Sequence, residues 1–422
     1  MAIWWLTALT LAAAHLNPTA HNGIASVRFV NQSIYPLAAC LDGSAPAFYL
    51  RPATSAAASS KWVVYHEGGD FCGYGSNWDE WVEDCRERAH TSLGSSAALA
   101  RNATLNLWTY GVDVFANDPE SLVHDWNWVY MLYCDGHYYA GANASETIAP
   151  IPDSSDHDGA AAVETLYFRG KWNVEGVLGT IDLRRNASAA AVSDVLVHGC
   201  SSGGVAVFSN AEHVRTLLPL HARVASAANS GYYLNRNTEY WTRPPFLMGN
   251  LTGTLNRRCV ESAAQKATPW NCIVAEVAAP SVRAMPIFAW QSQFDSNQLS
   301  CAQIDPRNRS AVNAYGNKLT ASLVGWVDAA AAAAEEGVSI APRGAFIDGC
   351  YRHCGCDAGI AAPDAAGVAW TPRSALRAWW TSLWRHSSIG SAAPSARSRV
   401  WAQSGAYPCA ECCTDPAPAS CT

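Results

Sequence analysis

Val195-Leu196-Val197-His198-Gly199-Cys200-Ser201-Ser202-Gly203-Gly204 is the stretch whose reading decides the fold. A short apolar run leads into a serine with glycine two places before it and two places after. A helix-like stretch follows to about Leu217. Strand, sharp turn and helix in that order form a nucleophile elbow. The turn is too tight for side chains at its flanking positions, and its strain lifts the serine oxygen above the end of a sheet. The five-residue pattern also arises by chance in Ser/Gly loops, so the strand and helix around it carry the reading. Ser201 has glycine at both flanking positions, whereas Ser202 has Cys200 two residues before it.

Working outward, three more apolar runs read as strands. Residues 61–66 end in Glu67-Gly68-Gly69, residues 128–133 end in Cys134-Asp135-Gly136, and residues 286–290 lead to Asp295. Amphipathic stretches at 79–90, 167–178 and 205–217 fall between them. Short apolar strands alternating with helices predict an α/β fold, a mainly parallel central sheet flanked by helices. Ligands of such sheets bind beyond the carboxyl ends of the strands. Residues 46–60, rich in Pro, Ala and Ser, read as a surface connection. Residues 322–336, with their alanine run, read as an exposed helix. The Cys- and Pro-rich tail from Ala402 reads as a disulfide-tied extended end. There are no internal repeats.

The chain has 422 residues, 49% of them hydrophobic, and no linker-like break divides it, so residues 21–422 are expected to form one domain. The net charge is −7, only 15% of residues are charged, and there is no basic run, which argues against a nucleic-acid partner. Residues 1–20 read as a secretory signal peptide with an apolar centre at 3–14, although no Lys or Arg precedes it. No later stretch is apolar enough for stable membrane insertion. Fifteen cysteines and six N-x-S/T sequons, at Asn31, Asn102, Asn143, Asn186, Asn250 and Asn308, agree with a secreted, extracellular or cell-wall glycoprotein. The odd count leaves one thiol over, and Cys200, inside the strained turn, is the candidate. Oligomeric state is not legible.

A serine hydroxyl needs a base to take its proton and an acid to hold that base. In α/β hydrolases the chain order is Ser, then Asp or Glu, then His. Asp295, just past a strand, and His353, in Cys350-Tyr351-Arg352-His353-Cys354, follow Ser201 in that order. Asp295 is equally a helix N-cap candidate and His353 a plain loop histidine. The cysteines crowded around His353 also admit a zinc site, but they lack paired C-x2-C knuckles, and an oxidising compartment favours disulfides. No metal or cofactor is expected. An oxyanion requires N–H donors: one from the residue after the nucleophile, Ser202, and others from a glycine-rich turn, for which Glu67-Gly68-Gly69-Asp70 is placed.

Taken together, these segments resemble the pectin acetylesterase/Notum carboxylesterase family. Glu67-Gly68-Gly69 with Cys72 resembles its E-G-G-x-x-C turn. Trp126-Asn127-Trp128-Val129 and Tyr133-Cys134-Asp135-Gly136 resemble its N-W-N-x-V…Y-C-D-G block, and Leu166-Tyr167-Phe168-Arg169-Gly170 its L-x-F-R-G. The elbow is similar to G-C-S-A-G-G and Phe294-Asp295-Ser296-Asn297-Gln298 to Y-D-S-W-Q. Residues 344–347 with Cys350 and His353-Cys354 resemble G-M-F-I…C…H-C, and Tyr407-Pro408-Cys409 the C-terminal Y-P-C. The match runs in order from about residue 60 to 413.

The resemblance implies an α/β-hydrolase-like fold with Ser201 as nucleophile, His353 as base and Asp295 as its orienter. It also implies that Gly69, Asp70 and Ser202 supply oxyanion N–H groups, and that the cysteines flanking His353 pin its loop. Three positions depart from the family pattern. Asp70 stands where the family has Gly or Trp, and a carboxylate there opposes catalysis unless it points away. Asn229-Ser230-Gly231 replaces D-A-G, and Ser202 replaces Ala. The expectation is a serine carboxylesterase that hydrolyses O-acetyl esters on a polysaccharide. Two alternatives stand beside it: a fatty-acyl carboxylesterase with a deep apolar pocket, and a catalytically silent carbohydrate-binding protein using some of its 18 tryptophans.

Overall fold

Alternation of apolar side chains builds the central sheet. In Asp194–Cys200, Val195 and Val197 point to one face and Leu196 to the other, and all three are buried. A strand apolar on both sides belongs inside a parallel sheet covered twice. Each such side chain contributes roughly 1.5–3 kcal/mol on burial. The computed structural model describes residues 23–108, 114–115, 118–155, 161–184, 192–262, 264–355, 360–364, 367–384, 399–409 and 411–413. The expected signal peptide, residues 1–20, lies outside them, as do Asn186, Cys356 and Cys421.

The strands in chain order are β1 (Ile24–Phe29), β2 (Ala47–Arg51), β3 (Lys61–His66), β4 (Thr104–Asn106), β5 (Asn127–Met131), β6 (Thr147–Ser155), β7 (Ala161–Leu166), β8 (Asp194–Cys200), β9 (Arg223–Asn229), β10 (Ile287–Ser292), β11 (Arg343–Asp348), β12 (Ala362–Pro363), β13 (Ala369–Trp370) and β14 (Arg399–Ala402). Ten of them form one sheet in the order β14-β11-β10-β9-β8-β3-β5-β2-β1-β4. From β14 to β5 every pairing is parallel, and β2, β1 and β4 extend the sheet by antiparallel pairing. The antiparallel hairpin β6–β7 and the pair β12–β13 lie apart.

The principal helices are α1 (Trp78–Ala89), α2 (Gly170–Thr180), α3 (Ser202–Ser209), α4 (Ala211–Leu217), α5 (Glu239–Met248), α6 (Ser296–Cys301), α7 (Arg309–Glu335) and α8 (Pro372–Trp384). Val174 and Val177 of α2, Phe208 of α3 and Leu319, Leu323 and Trp326 of α7 cover one face of the sheet. Trp379 and Trp380 of α8 cover the other, against Phe288, Phe346 and Trp401. No helix among the described residues is long and apolar enough to cross a membrane.

The strand and helix expectations hold with boundary shifts, and three are corrected. Residues 46–60 are not a surface connection. Ala47-Phe48-Tyr49-Leu50-Arg51 is β2, buried between β1 and β5, because its own residues are strand formers despite the Pro/Ala/Ser around them. The alanine-rich helix begins at Arg309, capped by the Asn308 side chain, and buries Leu319, Leu323, Trp326 and Val327, so it is a core helix with an exposed far side. The stretch after the elbow breaks at buried Asn210, whose amide donates to the Tyr138 carbonyl, giving α3 and α4 in place of one helix.

Candidate active site

β8 ends at Cys200 and α3 begins at Ser202, leaving Ser201 alone in the turn with φ 56° and ψ −123°. That is a costly conformation for a residue with a Cβ, and it persists because the surroundings hold it. The Ser201 N–H donates to the Asn229 carbonyl at 3.2 Å, and its carbonyl accepts from Val205 N–H at 2.8 Å. The glycine spacing has a direct cause. A Cβ on Gly203 would stand 2.0 Å from the His66 carbonyl oxygen, and one on Gly199 would stand 2.6 Å from the backbone of Gly203.

Asp295 follows β10 and His353 follows β11, the two strands next beyond β9, so both reach the same carboxyl edge as Ser201. His353 Nδ1 lies 2.9 and 3.0 Å from the two Asp295 carboxylate oxygens, and Nε2 lies 2.8 Å from Ser201 Oγ. A carboxylate only accepts, so Nδ1 carries the proton and Nε2 is free to accept from the serine hydroxyl. Asp295 is fully buried and also accepts from Gln291 Nε2 and Gln298 N–H. It caps α6 and faces His353 at once.

The loop carrying His353 is tied on several sides. Cys354 is bonded to Cys200 and Cys350 to Cys413, while Cys409 is bonded to Cys412. Cys200 is therefore not the unpaired thiol; the free cysteine among the described residues is Cys301. Chain position under the elbow suggested a strained free thiol, but β11 brings Cys354 alongside it. The sulfurs considered for zinc at Cys350, Cys354, Cys409, Cys412 and Cys413 are consumed by these bridges. Arg352 pairs with Asp348 at 2.8 Å and donates to the Cys354 carbonyl.

The departures at 229–230 belong to the same tether. Ser230 Oγ accepts from Cys354 N–H at 2.8 Å and donates to Asn229 Oδ1, and Asn229 Nδ2 donates to the Gly355 carbonyl. Sequence reasoning noted these residues without seeing a role, because their partners are more than a hundred residues away.

Opposite the elbow, the turn after β3 places Gly69 at φ 154° and Asp70 at φ 66°. A Cβ on Gly69 would collide with Tyr133 and Leu93, so glycine is required there on both counts. Ser202 Oγ donates to the Asp70 carbonyl at 2.8 Å, so two family departures clasp each other across the site. The Asp70 carboxylate accepts from the Tyr74 hydroxyl at 2.9 Å. No acceptor among the described residues takes the N–H of Gly69, Asp70 or Ser202. Behind the turn, burial raises the Glu67 carboxyl to about 7 against the pull of Tyr133 N–H and the Tyr130 hydroxyl. Burial likewise lowers His66 to about 4, which keeps it neutral.

A cavity of about 100 Å³ opens at Ser201, lined by Asp70, Ser202, Val205, Tyr138, Tyr233 and Trp241, together with the exposed Tyr74 and Tyr240 and the partly buried Cys301. Burial pushes the Cys301 thiol up, and its Sγ lies 3.6 Å from Asn297 Oδ1. Nothing in the sequence pointed to Tyr74, Tyr240 or Cys301.

A hydroxyl, imidazole and carboxylate in line at the carboxyl edge of a parallel sheet is the arrangement of the α/β hydrolases. The family model described as Pectinacetylesterase matches residues 19–382, and the chain belongs to that family. It is a carboxylic ester hydrolase. Pectin acetylesterase 5 of Arabidopsis thaliana is 26% identical over 341 residues, 75% of this chain and 70% of that protein. Pectin acetylesterase 7 of the same plant is 24% identical, over 83% of this chain and 84% of its own. The palmitoleoyl-protein carboxylesterase NOTUM of Schmidtea mediterranea is 27% identical over 63% of this chain and 48% of its own. A solved structure of the Wnt deacylase Notum from Drosophila shares the fold, with a TM-score of 0.59, 21% identity, and coverage of 85% of this chain and 93% of that one.

Proposed function

We propose that Ser201, His353 and Asp295 are the nucleophile, base and orienter of an esterase that removes O-acetyl groups from a polysaccharide outside the cell. The observation that carries the reading is the unbroken line from Ser201 Oγ through His353 to Asp295, opening on a small cavity. Ser201 Oγ bonds to the acetyl carbon while its proton passes to His353 Nε2. The tetrahedral oxyanion is held by N–H groups of Gly69, Asp70 and Ser202. The carbon–oxygen bond to the sugar breaks, and the leaving oxygen takes the proton from Nε2. Water then gives a proton to Nε2 and attacks the acetyl-enzyme; acetate leaves, and Ser201 recovers its proton.

Cavity size favours acetyl over a fatty acyl group. A cavity of about 150 Å³ is filled by benzene, and the one at Ser201 is about 100 Å³. The three heavy atoms of an acetyl group suit that space, and a long acyl chain does not. The test is acetate release from acetylated glycans together with fluorophosphonate labelling. Labelling at Ser201 with acetate release is expected; absence of an adduct would favour the silent carbohydrate-binding reading instead. Secretion rests on the N-terminal signal and the disulfides, and is checked by N-terminal sequencing of exported protein.

A further inference from the structure

Asp70 is solvent-exposed at the mouth of the cavity that holds Ser201. Its carboxylate is held in place by Tyr74, and none of the described residues lining the cavity is a lysine or arginine. Burial, and after it the charge of the Asp70 carboxylate to which it donates, raises the Tyr74 phenol. Beside it, Phe71 and Tyr74 have ring centroids 4.2 Å apart, and Tyr240 lies 6.4 Å from each. Tyr74 and Tyr240 are 43% and 42% exposed, so both rings are accessible to a ligand. Rings of this kind present an apolar face with a polar tip, suited to the C–H face of a pyranose.

Resting on the esterase reading above, we infer that the leaving group is an uncharged pyranose seated on Tyr74 and Tyr240, and that Asp70 excludes acetylated polyuronate. A carboxylate at the mouth of the acyl site leaves a galacturonate carboxylate facing like charge, with no lysine or arginine among the described lining residues to pair it. Selectivity of this kind comes from repulsion of the wrong substrate as much as from attraction of the right one. The pairing of Asp70 with Tyr74 links the two features: the residue that repels a polyanion also fixes the ring that receives a neutral sugar.

The test compares short acetylated xylo-oligosaccharides with acetylated oligogalacturonides of matched acetyl content. The wild-type chain is expected to favour the neutral series by about tenfold or more in kcat/KM at low salt. Asp70→Asn is expected to shrink that ratio by about tenfold. Both substrates meet the same variant, so any change in the acyl chemistry divides out of the ratio. Tyr240→Ala is expected to raise KM for the neutral series several-fold. Equal or greater activity on the galacturonide, or an unchanged ratio in Asp70→Asn, would overturn the inference. A wild-type chain that hydrolyses aryl acetate and labels at Ser201 but fails this comparison loses only the substrate class. A chain inert to both aryl acetate and the probe overturns the esterase reading and the inference with it.

Discussion

Cys200, the residue before Ser201, is disulfide-bonded to Cys354, the residue after His353. The bridge joins the turn of Ser201 to the loop of His353 across 154 residues of chain. It holds the 2.8 Å approach of His353 Nε2 to Ser201 Oγ as a covalent constraint. Cys200→Ser with Cys354→Ser is expected to leave a folded chain whose kcat on an aryl acetate is at least tenfold lower. Stability is expected to fall by about 2–5 kcal/mol, read by denaturant unfolding. Unchanged kcat in the folded double variant would show that the bridge does not position the base.

Removing a member of the hydrogen-bonded line should abolish most catalysis. Ser201→Ala and His353→Ala are each expected to lower kcat by about 10³-fold or more, and Asp295→Asn by about 10³–10⁴-fold. Combining Ser201→Ala with His353→Ala should add little, because the residues act as a unit. Full activity in Ser201→Ala would remove the mechanism.

On the proposed acetylesterase reading, acyl selectivity is expected to follow cavity volume. Aryl acetate is expected to be hydrolysed at least tenfold faster than aryl octanoate in kcat/KM. Trp241 lines the cavity and is buried, so Trp241→Leu should shift the octanoate-to-acetate ratio upward, with circular dichroism checking the fold. Octanoate preferred by the wild-type chain would restore the fatty-acyl reading.

Ser230 is hydrogen-bonded to Cys354, the residue after His353. Its hydroxyl accepts from the Cys354 N–H and donates to Asn229. Ser230→Ala removes both bonds and is expected to lower kcat by about 3–10-fold, since a hydrogen bond contributes about 1 kcal/mol. KM should move less than kcat. An unchanged pH–rate profile and unchanged kcat would reduce Ser230 to packing.

Glu67 gives a pH signature. Its carboxyl is raised from 4.5 to about 7, first by burial. A raised acid contributes its full share to stability below the unfolded value and loses it as pH rises through the folded value, here between about pH 4.5 and 7. Glu67→Gln should therefore flatten the decline of Tm over that window, by about 2–4 °C at pH 8 relative to pH 5. His66 and His137, lowered by burial to about 4 and 3, act oppositely as pH falls below 6.5 and are unaffected by the substitution. An identical slope in the variant would show that Glu67 does not titrate in this range.

Much of this molecule was legible in one dimension. Local rules govern β3, β8 and β10, where apolar runs end in turn residues, and the steric demand for glycine at 199 and 203 is written in adjacent positions. Chain order made Asp295 and His353 candidates beside Ser201, and the resemblance to a known family singled them out. Reading failed where partners are remote. Residues 46–60 looked like a loop because composition averages over Ala47–Arg51, whose strand character is realised by pairing with β1 and β5. Cys200 looked unpaired because nothing near it in sequence contains its partner.

By itself, then, the sequence determined the elbow, the chain order of Ser201, Asp295 and His353, and the α/β class, since each depends on contacts within a few residues or on chain order. Only the tertiary structure decided that Ser202 clasps Asp70, that Ser230 and Cys200 hold the loop of His353, and that the cavity at Ser201 is small and rimmed by Tyr74 and Tyr240. Those relations join segments far apart in the chain. Side-chain hydrogen bonds and excluded volume act over a few ångströms of space, and sequence separation carries no record of that distance.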